Sequence, residues 1–94
     1  MSRARRTDAN HAEIMLALTA LGWYVHDTSR LGDGFPDLVA ARGGVLRLVE
    51  VKDGTKSQSR QRLTPAEARI FVRFALKGCP CVVLTSVEDA ERLR

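Results

Sequence analysis

Asp37, Glu50 and Lys52 are the side chains of this sequence whose types and spacing suit chemistry together. They lie within or at the ends of two apolar runs, residues 37–42 and 45–52, that read as strands joined at Gly43-Gly44. A Gly-Gly pair between strand-like runs favours a two-residue hairpin loop, because the central positions of such turns require positive φ. Arg42 then pairs with Val45, Ala41 with Leu46, and Asp37 falls opposite Glu50. Cross-strand partners share a face with Cβ atoms about 4.5–5.5 Å apart, and Lys52, two residues past Glu50, shares that face. A loop of three or five residues would shift the pairing and part the acids. Directly opposed carboxylates destabilise a sheet. A divalent cation with oxygen ligands offsets that cost. A solvated sheet edge with Lys52 as counter-charge does so too, and spacing alone leaves both readings open.

The elements that must position these groups follow in order. Residues 1–7 read as a disordered basic arm. A helix capped by Thr7 or Asp8 then runs to about Leu21, ended by Gly22. Its core face is Ile14, Leu18 and Leu21 with Met15 alongside, while Glu13 lies on a stripe with Asn10, Ala17 and Ala20. Trp23 to His26 reads as a first strand, and residues 27–35 as a polar loop carrying Arg30. The strand after the Gly-Gly turn is apolar on both faces over most of its length, so it should be central in the sheet. Residues 53–63, with Lys56, Arg60 and Arg62, show no apolar period and read as a mobile loop. Thr64-Pro65-Ala66-Glu67 is a helix start, with Thr as N-cap, Pro at the first helical position and Glu closing a capping box. That second helix runs to about Lys77, with Ile70, Phe71 and Phe74 inward and Arg69, Arg73 and Lys77 as a basic ridge. Residues 81–85 read as a buried strand, and Ser86 caps a last helix to about Leu93.

Ninety-four residues make one domain, residues 8–94 after the arm. No run approaches the roughly 18–20 apolar residues of a membrane span, and the basic N-terminus lacks the apolar segment of a secretory signal. Cys79 and Cys81 are too few for a disulfide framework or a four-cysteine zinc site and read as small packing residues. A cytoplasmic protein is expected. The net charge of +4 rests on twelve Arg against three Lys, and arginine suits bidentate phosphate contact. Nucleic acid fits that balance without being required by it. There is no glycine-rich phosphate loop, no paired-histidine zinc helix and no nucleophile with partners. Two acids and a lysine on one face instead suit metal-assisted phosphodiester hydrolysis, in which the lysine orients or deprotonates the water.

The segments Gly34-Phe35-Pro36-Asp37-Leu38, Val49-Glu50-Val51-Lys52 and Leu63-Thr64-Pro65-Ala66-Glu67 resemble the PD-(D/E)XK nuclease superfamily, in particular its VRR-NUC branch with small stand-alone phage-type members. The resemblance covers roughly residues 10–84. It implies an α/β fold with a restriction-endonuclease-like αβββαβ core, a mixed central sheet flanked by helices. It implies Mg²⁺ or Mn²⁺ held by Asp37, Glu50 and the backbone carbonyl of Val51, with Lys52 as catalytic lysine. Glu13 matches an acid that such nucleases often place near the metal. Many VRR-NUC members carry a glutamine near Glu67; Glu67 departs from that pattern and is accounted for as a cap. Stand-alone members resemble Holliday-junction resolvases, which implies a homodimer.

The favoured reading is a metal-dependent endonuclease acting on DNA, on branched or otherwise structured DNA in particular. Arg30, Lys56, Arg60, Arg62, Arg69 and Arg73 are its expected DNA contacts. The alternative is a catalytically silent nucleic-acid-binding or assembly module on the same fold. A third reading is a small structural protein whose acids only solvate a sheet edge.

Overall fold

Gly43 and Gly44 adopt φ of 56° and 79°, the positive values that a two-residue hairpin turn needs. Strand β2 (Leu38–Arg42) therefore returns as β3 (Val45–Val51), with Arg42 opposite Val45 and Leu38 opposite Val49. That register, carried one step outward, sets Asp37 against Glu50. The structure is a computed structural model, described here for residues 8–94; the basic arm expected at residues 1–7, and Thr7 as a cap, lie outside them.

Among the described residues four strands form one sheet in the order β1-β2-β3-β4, with β1 (Tyr24–Asp27) antiparallel to β2 and β4 (Val82–Leu84) parallel to β3. The parallel pair follows from the crossover through helix α3 (Pro65–Leu76), since parallel neighbours cannot be joined by a tight turn. β3 is central, as its two apolar faces predict. One sheet face buries Leu38, Ala40, Val49, Val51 and Leu84 against Ile14 and Leu18 of α1 (His11–Ala20) and Ala90 of α4 (Val87–Glu91). The other face carries Leu46, Leu48, Glu50 and Lys52, and α3 lies over it. This is the mixed sheet flanked by helices that the sequence leads one to expect. Among the described residues no helix is long and apolar enough to cross a membrane.

Several elements differ from expectation. Helix α1 starts at His11 with Asn10 at its cap and no side-chain cap bond; Asp8 contributes only its carbonyl, which accepts from His11 N at 3.0 Å. The buried stripe is His11, Ile14 and Leu18, because the helix stops at Ala20 and leaves Leu21 partly exposed at the cap. Trp23 is not in β1 but is buried in the core just before it. The loop after β1 contains a 3-10 turn, Ser29–Leu31.

Residues 53–63 are not an irregular loop. They hold a short helix, α2 (Gln58–Gln61), and Gln61 Nε2 donates to the carbonyls of Lys56 at 2.7 Å and Gly54 at 3.3 Å. Strand β4 is an edge strand, half-covered rather than fully buried, because β3 alone pairs with it. Cys79 is exposed in the turn that Gly78 opens, so only Cys81 is even partly packed.

A Cβ at Gly44 would meet nothing within 4 Å, so Gly44→Ala should cost only the strain of a positive φ, about 1–2 kcal/mol. Urea denaturation measures this, and an unchanged midpoint would show that residue 44 carries no positive-φ strain.

Candidate active site

Thr28 extends the β1–β2 pairing past its last ladder residue. Its N–H donates to the Asp37 carbonyl at 2.8 Å and its hydroxyl to the Pro36 carbonyl at 2.7 Å. The Asp37 backbone is thereby held, and its Oδ2 accepts from Val51 N across the hairpin at 2.9 Å. Lys52 is held from both sides. Its N–H donates to Leu84 O at 3.0 Å, and its carbonyl accepts from Asn10 Nδ2 at 3.1 Å. The same Asn10 amide donates to Thr85 O at 3.0 Å, which ties the start of α1 to the ends of β3 and β4.

These anchors gather Asp37, Glu50 and Lys52, all buried. Glu67 joins them. Lys52 Nζ lies 2.8 Å from Glu67 Oε1 and 3.6 Å from Glu50 Oε2, and Glu67 is only 4% exposed. Glu67 also closes the expected capping box, its Oε1 accepting from Thr64 N at 2.8 Å.

Charges this deep persist only when paired or neutralised, since each isolated ion would cost several kcal/mol, on the order of 3–5 when a partner is lost. Burial, then the charge of Asp37, then a hydrogen bond donated to Glu67 push the Glu50 carboxyl up from 4.5 to about 9. Burial alone would raise Glu67, but the hydrogen bonds from Lys52 and Thr64 outweigh it and leave it lowered. For Lys52, burial favours the neutral amine, and the Glu67 and Glu50 contacts reverse that and hold it protonated. At neutral pH the cluster is thus a Lys52–Glu67 ion pair beside a protonated Glu50.

A hollow of about 440 Å³ opens at Lys52, lined also by Asp8, Lys56, Arg60, Arg62 and Thr64. The three predicted loop cations therefore converge on the site, on the α2 turn and its flanks. Asp8 is the acid that the start of the first helix brings here. Burial and the charges of Asp37, Asp53 and Glu67 raise its carboxyl, against the pull of Lys52.

Glu13 is not brought in. It is exposed one turn into α1 and lines a separate hollow of about 400 Å³ with Asn10, Asp53, Thr55 and Glu88. Helix α1 buries the face of His11, Ile14 and Leu18, which leaves Glu13 on another side of the helix. Arg69 and Arg73 are exposed on α3, and Arg30 is exposed on the 3-10 turn. Val51 engages the site through its N–H. Two residues escaped the sequence reading. Asp8 left no signal beyond being a possible cap. Glu67 left one, its departure from the glutamine that the family resemblance implies there.

No protein-family profile matches the chain, and no curated protein matches it. Among solved structures, a chain described as a VRR_NUC domain superposes with a TM-score of 0.66 at 29% identity, over 87% of this chain and 86% of that one. The chain has the VRR-NUC fold. This is a nuclease-type fold of the PD-(D/E)XK superfamily, as the sequence resemblance implies.

In the VRR-NUC fold of this chain the three resembling segments meet at one place. Asp37 reaches Val51, and Lys52 reaches Glu67. Gly34 (φ 84°) lies so close to the first turn of α3 that a Cβ there would fall 2.5 Å from the Ala66 carbonyl. Phe35 packs edge-on to Phe74 of the same helix at 6.3 Å. Among the described residues no group of three or more acids, histidines or cysteines is arranged to hold a metal. The donor set is the opposed pair Asp37 and Glu50. It suits Mg²⁺, which binds through one or two carboxylates and keeps water or substrate phosphate as its other ligands.

Because folding raises the Glu50 pKa, its contribution to stability is full below about pH 4.5 and is lost as pH rises towards about 9. In chelating buffer the melting temperature should fall between about pH 5 and about pH 9, at most by the equivalent of about 1.4 kcal/mol per pH unit. Glu50→Gln should flatten the fall; equal slopes in the two proteins would remove Glu50 as its source.

Proposed function

We propose that this chain is a Mg²⁺- or Mn²⁺-dependent endonuclease that hydrolyses DNA phosphodiester bonds, with branched or otherwise structured DNA as its substrate. The observation that carries this is the buried cluster of Asp37, Glu50 and Lys52, whose Lys52 lines a hollow with Lys56, Arg60 and Arg62. The VRR-NUC fold supports the same reading.

Asp37 and Glu50 would hold the cation, with the Val51 carbonyl as a further ligand. When bound, the ion supplies a Lewis acid for the phosphate and lowers the pKa of a bound water. Glu50 must give up its proton to serve as a ligand, so acid should oppose activity. Lys52 lines the hollow, and its ammonium would stabilise negative charge on the scissile phosphate and orient the attacking water. Lys56, Arg60 and Arg62 grip neighbouring phosphates. Arg69, Arg73 and Arg30 contact the substrate farther out. A homodimer supplies two such sites for two strands.

A panel of duplex, flap, four-way-junction and single-stranded DNAs, each with Mg²⁺ or Mn²⁺, tests the proposal. Cleavage is expected, and Lys52→Ala should abolish it while the fold and DNA binding persist; full activity in that variant would sink the mechanism. In the same preparations Mg²⁺ or Mn²⁺ should raise the melting temperature through linkage, and Asp37→Asn should lose that rise.

Replacing Arg60 and Arg62 together by alanine should weaken duplex binding and reduce its log–log salt slope by about 1.8. An unchanged slope would place the α2 turn outside the interface.

A further inference from the structure

We propose that Glu67 is a positioning residue that holds Lys52 at the reacting phosphate by coupling it to the start of helix α3. This rests on the reading of Lys52 as the catalytic lysine. One oxygen does both jobs. Glu67 Oε1 accepts from Thr64 N at 2.8 Å, which caps the helix, and from Lys52 Nζ at 2.8 Å.

A glutamate serving only as a cap needs no burial, because the groups it satisfies sit at a helix end open to water. Glu67 is 4% exposed and its partner Lys52 8%, so the pair has given up hydration that a cap alone would keep. Lys52 Nζ sits closer to Glu67 than to Glu50, at 2.8 Å against 3.6 Å. The helix, more than the acids of the hairpin, therefore sets where the ammonium lies.

The helix is itself located from the hairpin side. Gly34 meets the Ala66–Glu67 peptide at a distance that excludes a Cβ, and Phe35 packs on Phe74. Both precede Asp37 by three residues or fewer in the chain. Asp37 and the anchor of Lys52 are thus fixed by one packed contact. Flexible four-carbon side chains such as lysine lose the most freedom when held, and a misplacement of about 1 Å at a reacting group can cost about 10²-fold in rate.

Three variants separate positioning from capping. Glu67→Gln keeps an oxygen for both donors, Glu67→Ala removes the contacts to Thr64 and Lys52 together with the hydrogen bond from Glu50, and Thr64→Ala breaks the cap from the other side while leaving Glu67 to Lys52. Glu67→Ala is expected to lower kcat about 10²-fold with KM nearly unchanged. Glu67→Gln should recover most of that rate. Thr64→Ala should lower the melting temperature less than Glu67→Ala does, because it removes a cap and leaves Lys52 paired, and it should keep kcat.

Equal kcat losses in Thr64→Ala and Glu67→Ala, or a Glu67→Ala kcat within twofold of the parent, would overturn the proposal. A second readout does not need cleavage. The NMR signal of the Lys52 ammonium, assigned by its loss in Lys52→Ala, should be visible in the parent and Thr64→Ala proteins and broadened in Glu67→Ala. If no protein cuts DNA yet this pattern holds, the nuclease reading fails and the anchoring of Lys52 stands. If the parent cuts and the signal is indifferent to Glu67, the anchoring fails alone.

Discussion

Asp37 and Glu50 are forced together by the parity of one turn. Two glycines with positive φ close the β2–β3 hairpin in an even-numbered loop, and the pleat then delivers both acids and Lys52 to the same face. Each of the three is buried. The rest of the site can be understood as what a protein must add so that this arrangement survives folding.

The additions are charge-balancing. Glu67 supplies the anion that Lys52 needs, and Lys52 in turn lets Glu67 stay ionised in the interior. Glu50 stays neutral by keeping its proton. The cluster is therefore balanced by its own groups, and under the proposed function a divalent ion between Asp37 and Glu50 would displace that proton. A site of this kind trades stability for function. Replacing buried ion pairs by apolar residues is often neutral or stabilising, so the cluster is better explained by chemistry than by folding.

The surrounding elements act as locating pins. Asn10 joins the start of α1 to Lys52 and Thr85, Thr28 fixes the strand entry at Pro36-Asp37, and Gly34 with Phe35 seats α3. The α2 turn, braced by Gln61, presents Lys56, Arg60 and Arg62 on a formed surface. Phosphate contacts on ordered backbone lose less freedom on binding than the same cations on a mobile loop.

What the sequence determined by itself was the hairpin. Gly43-Gly44 favours a two-residue loop and period-2 alternation does the rest, so Asp37, Glu50 and Lys52 were legible together, while the loop length itself was decided by the positive φ of both glycines. The capping box at Thr64 and the centrality of β3 were legible for the same reason, because each depends on neighbours in the chain. Only the tertiary structure decided which acids complete the site. Glu67 had a sufficient local explanation as a cap, and nothing local says that a helix will be seated over Lys52. Glu13 was the expected acid of α1 and Asp8 only a cap candidate; which of them lies near Lys52 depends on how the start of α1 is seated, and Asn10 seats it by bonding to backbone more than forty residues away. Local pattern reaches as far as hydrogen bonds and side-chain periods extend along the chain; the meeting of α1, the hairpin and α3 depends on packing between segments that only the folded chain brings together.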